Sequence, residues 1–256
     1  RGSGKELFLM DWDGHALQPL TSNGSLNLRP DPSPDGHQIL YLSYKGGHPA
    51  LYRRDLYSGS ESRLFADNGV TGGRWSPDGS KIAVSHSRDS NDEIYLMARD
   101  GKELARLTRS PAIDISPTFS PDGRQIAFVS DRLGSPQIFI MNIDGSEVRR
   151  LTTEGGYNVS PHWSPKGDRI VYSRQESKGF QIHIVNIDGS NDLRLTESGR
   201  NEHPRWSPDS RLIIFTSTRD NTPAIYVMRA DGANQRRISP GSARDSHPVW
   251  LSPPRP

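Results

Sequence analysis

Six positions along this chain, 43 or 44 residues apart, hold Asn27, Val70, Asp114, Asn158, Asn201 and Asp245. Five of the six are Asn or Asp, side chains that bind peptide groups or satisfy backbone donors where a loop enters a strand. Two residues further on stand Arg29, Gly72, Ser116, Ser160, His203 and His247, and Glu202 lies between Asn201 and His203. If these positions ring one surface, they form a polar rim that differs from unit to unit, as an asymmetric protein partner requires. The candidate contacts are Asn27, Arg29, Asp114, Ser116, Asn158, Ser160, Asn201, Glu202, His203, Asp245 and His247. The plainer reading is that each Asn or Asp only closes a loop-to-strand junction. His203 and His247, with His162 nearby in register, have the residue type of metal ligands. Their separation is only the period of the repeat and carries no coordination geometry, so neither a metal nor a cofactor is assigned.

The side chains of a reaction centre are not written elsewhere in the chain. It has no G-x-S-x-G nucleophile elbow and no H-E-x-x-H helix motif. It has no cysteine, hence no thiol nucleophile and no thiolate ligand. Trp75, Phe119, Trp163, Trp206 and Trp250 are tempting as stacking platforms, yet they occupy one fixed place in the repeat and read as packing between units.

The repeat is what must position these residues. Ser-Pro-Asp-Gly begins at Ser33, Ser76 and Ser120, with variants at Ser164 and Ser207 and a remnant at Ser252-Pro253; the serines are 43, 44, 44, 43 and 45 residues apart. A period of roughly 40–50 residues with several short strands per unit marks a β-propeller. In one unit, Asp114–Ser120 is the first strand, and Pro121-Asp122-Gly123 turns the chain into Ile126–Ser130. Gln137–Ile143 follows, then an Asp144-Gly145 hairpin and Glu147–Thr152. The second and third strands are apolar on both faces and belong between neighbouring blades. The fourth carries Arg149 and Arg150 and reads as a charged outer edge.

Six first, six third and six fourth strands can be counted, but five second strands. The expected architecture is an all-β, six-bladed propeller over residues 1–256, its closing blade shared by Glu6–Trp12 and Ala16–Thr21 at one end and Asp245–Trp250 at the other. The missing second strand is expected before Arg1, so the chain reads as a fragment; a blade with strand one directly beside strand three is the alternative. Pro30 and Pro32 mark the first inner strand as the least regular. The loops before strand one and between strands two and three emerge on one face, the Ser-Pro-Asp-Gly turns on the other.

Composition narrows the partners. With 32 basic and 30 acidic residues the formal charge is +2, too balanced to call for nucleic acid or an anionic membrane surface. No apolar run approaches the ~18 residues of a membrane span, which argues against direct membrane insertion.

Units of the form W-S-P-D-G, I-A-F-x-S, I-Y-V-M-x-x-D-G and R-R-L-T resemble the TolB propeller family. The likeness is densest over Ser116–Arg237, including Ser130-Asp131-Arg132, Tyr157–Pro161 and Ala224–Asp231, and His247–Pro253 is similar to the family's ending. The resemblance implies a non-catalytic periplasmic scaffold of the Tol-Pal system that binds the peptidoglycan-associated lipoprotein Pal at one channel mouth. It further implies work with other Tol proteins, use by colicin-like toxins, and roles in envelope integrity, cell division and protein transport. The family's N-terminal α/β domain is not in this chain. Similar repeats also serve in serine-peptidase gating domains and metal-dependent oligouronate lyases, which stand as the alternative.

Overall fold

The computed structural model describes residues 4–65, 69–88, 91–102, 104–241 and 244–252, so Pro253 of the last repeat lies outside the described residues. Among them there is no helix, and so none long and apolar enough to cross a membrane. The turn chemistry of the repeat sets the strand register. Ser120 Oγ donates to Asp122 Oδ1 at 2.6 Å and accepts from the Gln125 amide at 2.9 Å. Ser33, Ser76 and Ser207 repeat this with Asp35, Asp78 and Asp209. The clamp fixes the pairing of each first strand with its second, as in Phe119 opposite Ile126.

Five four-stranded antiparallel sheets result, each paired in chain order. Their first strands are Asn27–Pro32, Val70–Trp75, Asp114–Phe119, Asn158–Trp163 and Asn201–Trp206, and we number the blades one to five accordingly. Blade three continues with Gln125–Ser130, Gln137–Asn142 and Arg149–Arg150. Ile126–Val129 and Ile138–Met141 are buried throughout, as their apolar runs require. Each aromatic that ends a first strand packs onto the blade before it. Trp75 sits with Leu40 and Leu51 of blade one, Trp163 with Ile138 and Ile140 of blade three, and Trp206 with Ile182 and Ile184 of blade four. Deleting such a side chain typically costs about 3–5 kcal/mol, so these contacts carry much of the cohesion between blades.

The fold is an all-β propeller with five full blades, not six. In the sixth place the expected strands Glu6–Trp12 and Ala16–Thr21 shrink to a two-stranded hairpin, Phe8–Leu9 with Gln18–Pro19. Asp245–Trp250 forms no ladder among the described residues. The cause is the count of strands: the second strand, which pairs with both the first and the third in every full blade, has no counterpart in this place among the described residues. Packing still spans it. Leu7 and Leu20 join Ile39 and Tyr41 of blade one, while Met10 and Trp250 join Ile214 and Ile238 of blade five.

Pro30 does not weaken the first inner strand. Every full blade has a register shift early in its first strand. In blades one, three, four and five it spans a proline: Pro30, Pro117, Pro161 and Pro204. A bulge is the place in a strand where a missing N–H is harmless.

The hairpin glycines show that the sixth place docks like a blade. A Cβ on Gly101 would lie 2.3 Å from the Leu64 carbonyl oxygen of the blade before it, one on Gly145 2.5 Å from that of Leu107, and one on Gly14 2.0 Å from that of Ile238. We expect Gly14→Ala to lower the melting temperature well beyond Gly134→Ala. Both glycines have φ near +90° (95° and 90°), but Gly134 has open space around its Cβ position. Equal shifts in thermal circular-dichroism scans would show that the hairpin does not close the ring.

Candidate binding site at the channel mouth

Four of the five ladder-forming first strands enter the channel with a buried polar residue. The structure places Asn27, Asp114, Asn158 and Asn201 inside the protein, at most 2% exposed. Asn158 Nδ2 donates to Gln137 Oε1 at 2.7 Å, and Thr152 Oγ1 donates to the same oxygen at 2.7 Å; both partners belong to blade three. Asn201 makes the same relay with Gln181 and Thr196 at 2.9 and 2.8 Å. Asn27 makes it with Glu6 and Thr21 of the N-terminal hairpin at 2.9 and 2.5 Å. Asp114 has no N–H to give to Glu93. Arg132 lies 2.9 Å from Asp114 and Arg106 2.7 Å from Glu93, and burial raises Asp114 above the usual carboxylate range against the pull of Ser130 and Arg132. Val70 replaces the relay with apolar packing against Phe65. Asp245 is half-buried and its amide donates to Pro223 O at 2.9 Å.

Two residues on, the backbone turns left-handed. Arg29, Ser116, Ser160, His203 and His247 have φ of 52°, 58°, 56°, 55° and 58°, and Gly72 completes the set at 148°. For a residue with a Cβ this conformation costs roughly 1–2 kcal/mol. It also breaks the alternation of a plain strand, so these six residues line the channel while the Asn and Asp beside them face a neighbouring blade. Arg74 and Arg205, two positions deeper, line the same cavity, which measures about 60 Å³. Sequence reading does not single them out. Their signal is that both directly precede the repeat tryptophan, in register with His162.

The rim is asymmetric in charge. Arg29 lies across Gly72, its Cδ 3.3 Å from where a Cβ would stand, and its Nη1 donates to Thr71 O at 2.6 Å. Burial and then Arg74 depress its pKa. His203 and His247 stack with centroids 3.8 Å apart at 30°. Burial first, then Arg29 and Arg74 against the opposing pull of Glu202, brings His203 down to about 4. Burial, then His203 and Arg29, brings His247 down to about 2. Glu202 stands at the edge in a two-pronged pair with Arg200, at 2.6 and 2.9 Å. His162 is not free to join the two histidines, because its Nδ1 accepts the Trp206 amide at 3.1 Å and burial lowers it to about 3. Among the described residues no three His, Asp or Glu side chains gather as a metal site.

A family model described as the TolB beta propeller domain matches residues 1–254. The chain is 42% identical over 120 residues to the Tol-Pal system protein TolB of Anaeromyxobacter dehalogenans strain 2CP-C, a match covering 46% of this chain and 28% of that protein. The crystal structure of TolB from Acinetobacter baumannii superposes with a TM-score of 0.90 at 28% identity, over 96% of this chain and 62% of that one. An oligogalacturonate lyase in complex with manganese superposes at 0.63 with 14% identity, over 93% and 74%, a likeness of fold alone. The chain therefore spans less than two thirds of the length of these two TolB proteins.

Two outcomes separate the buried relay from the rim. Asn158→Ala should cost about 2–3 kcal/mol in urea unfolding, because it strands Gln137 and Arg174. Ser160→Gly should be neutral or stabilise by up to about 1 kcal/mol, since it relieves a left-handed Cβ. The histidines set a pH dependence of definite sign. His203 is neutral when folded and titrates near 6.5 when unfolded, so its contribution is intact above pH 6.5 and is lost as pH falls toward 4. At pH 5 the loss reaches up to about 2 kcal/mol, and His203→Asn should remove that part of the decline between pH 7 and 5. An unchanged slope in paired urea titrations would contradict this.

Proposed function

The chain belongs to the TolB β-propeller family, and we propose that it is a non-catalytic, periplasmic protein-binding scaffold of the Tol-Pal system. In this reading Pal docks over the channel mouth, contacting Arg29, Ser116, Ser160, His203 and His247 on the rim and Glu202 at its edge. Other Tol proteins and colicin-like toxins would compete for or share this face. The work served is envelope integrity, cell division and protein transport.

The observation that carries the proposal is the rim. Six equivalent positions of the repeat, five of them left-handed at φ between 52° and 58°, present Arg, Gly, Ser, Ser, His and His. Identical geometry with different side chains is what a rigid scaffold offers an asymmetric protein. The opposite face shows repeated Ser-Asp turns that differ little between blades. Asn27, Asp114, Asn158 and Asn201 support the rim from beneath in this reading, and Asp245 borders it.

Calorimetric titration of Pal tests this. His203→Ala and Glu202→Ala should each weaken binding by about 30-fold, the roughly 2 kcal/mol of a hot-spot side chain. Asp122→Ala and Asp188→Ala, in turns away from the mouth, should leave affinity unchanged. If only those two weaken binding while the fold is intact, the partner uses the other face.

A further inference from the structure

The cavity at the channel mouth is lined by three arginines and two histidines and by no carboxylate among the described residues. The inner ring of first-strand positions reads Asp31, Arg74, Thr118, His162, Arg205 and Val249, with one carboxylate in six. That carboxylate is already engaged: Arg74 Nη1 lies 2.8 Å from Asp31 Oδ1, and the Trp75 amide 2.9 Å from Oδ2. Arg29 gives one N–H to Thr71 O, and its other donors make no hydrogen bond among the described residues, though the Asp92 carboxylate lies near enough to favour its charged form. The Arg205 side chain has no hydrogen-bond or ion-pair partner among them. His203 lines the same cavity with its Nδ1 buried and unpaired.

We propose that this cavity is an oxyanion site that takes one carboxylate or phosphate group between Arg29 and Arg205, with His203 beside it. A guanidinium presents its donors as a planar fork that matches such groups in pairs. A buried cation without a counter-charge is costly, and an anion entering a low-dielectric channel lined by cations meets a strong field. The cavity's size, about 60 Å³, leaves room for a single small group. Burial is the main cause that keeps His203 and His247 neutral, and the same field adds to it, since Arg29 and Arg74 both act against their protonation. An anion at this point would ease that opposition. The group has two sources, a free ion or an acidic side chain of a docked protein; the second rests on the docking reading above.

The test is thermal unfolding in chloride-free buffer at fixed ionic strength while inorganic phosphate or acetate is titrated. A saturable rise in melting temperature is expected for the wild type and for Arg205→Lys. Arg205→Gln and Arg29→Gln should weaken the apparent affinity about tenfold or more. Lys102→Gln, in an exposed outer turn, should not. In phosphate the NMR titration midpoints of His203 and His247 should move upward. A rise that never saturates, or one that is equal in Arg205→Gln and the wild type, overturns the proposal. Titrating Pal with and without saturating phosphate then assigns the source: weakened binding points to an acidic side chain of the partner, unchanged binding to a free ion. Loss of Pal binding with phosphate binding retained counts against the docking reading and leaves the oxyanion site standing.

Discussion

The hydrogen bond from a first-strand Asn to the Gln or Glu of the preceding unit is the constraint on which the rest of this architecture hangs. Sheets that meet face to face through Leu, Ile and Trp can slide; apolar contact has no direction. The Asn158–Gln137–Thr152 relay does have direction, and it fixes how far down the channel each first strand sits relative to its neighbour. A second bond locks it, since Thr152 Oγ1 also accepts the Ile138 amide at 3.0 Å. The same Thr or Ser contact recurs at Thr21, Thr108, Thr196 and Ser239, so in five of the six units the outer end is tied to its own third strand before it is tied to the next blade. A buried amide that satisfies all its partners is stable and specific, whereas a half-satisfied one is neither.

That anchoring is what lets the next two residues be strained. A left-handed Arg, Ser or His would relax in a loose loop. Ahead of Arg29, Ser160 and His203 the strand is pinned by the relay, and ahead of Ser116 by the pair of Asp114 with Arg132. The strain therefore persists and aims five side chains inward from equivalent backbones. Sequence variation at those positions changes the chemistry of the mouth without changing its shape. In this chain the variation gathers cation and imidazole, and neutral histidines in a cationic channel follow from that choice.

The repeat made the fold readable because its turn residues recur at one spacing and its apolar runs alternate with them. What it did not convey is completeness: Phe8–Leu9 and Asp245–Trp250 carry the pattern of strands but lack the partner that would make them a blade. At the mouth, sequence register groups the Asn and Asp positions with those two residues on, since i and i+2 share a face in a regular strand. The bulge between them undoes that rule. Asn158 is buried and Ser160 lines the channel, although spacing alone puts them side by side. Arg74 and Arg205 were hidden for a different reason, because a residue flanking a packing tryptophan draws no notice until a common axis brings six such residues together.

The thin sixth place has a mechanical consequence. A ring of units that touch only their neighbours behaves as a one-dimensional chain closed on itself, and such a chain loosens first at its weakest link. Here that link is a short two-stranded hairpin and an unladdered segment, joined to blades one and five by small apolar clusters, a few backbone bonds and the Asn27–Glu6 contact. Amide exchange should therefore begin on that arc and spread last to blade three. Arg29, His203 and His247 all belong to units on or beside it. The part of the rim with the most distinctive chemistry is thus also its most compliant part, able to widen for an incoming group while the opposite wall holds its shape.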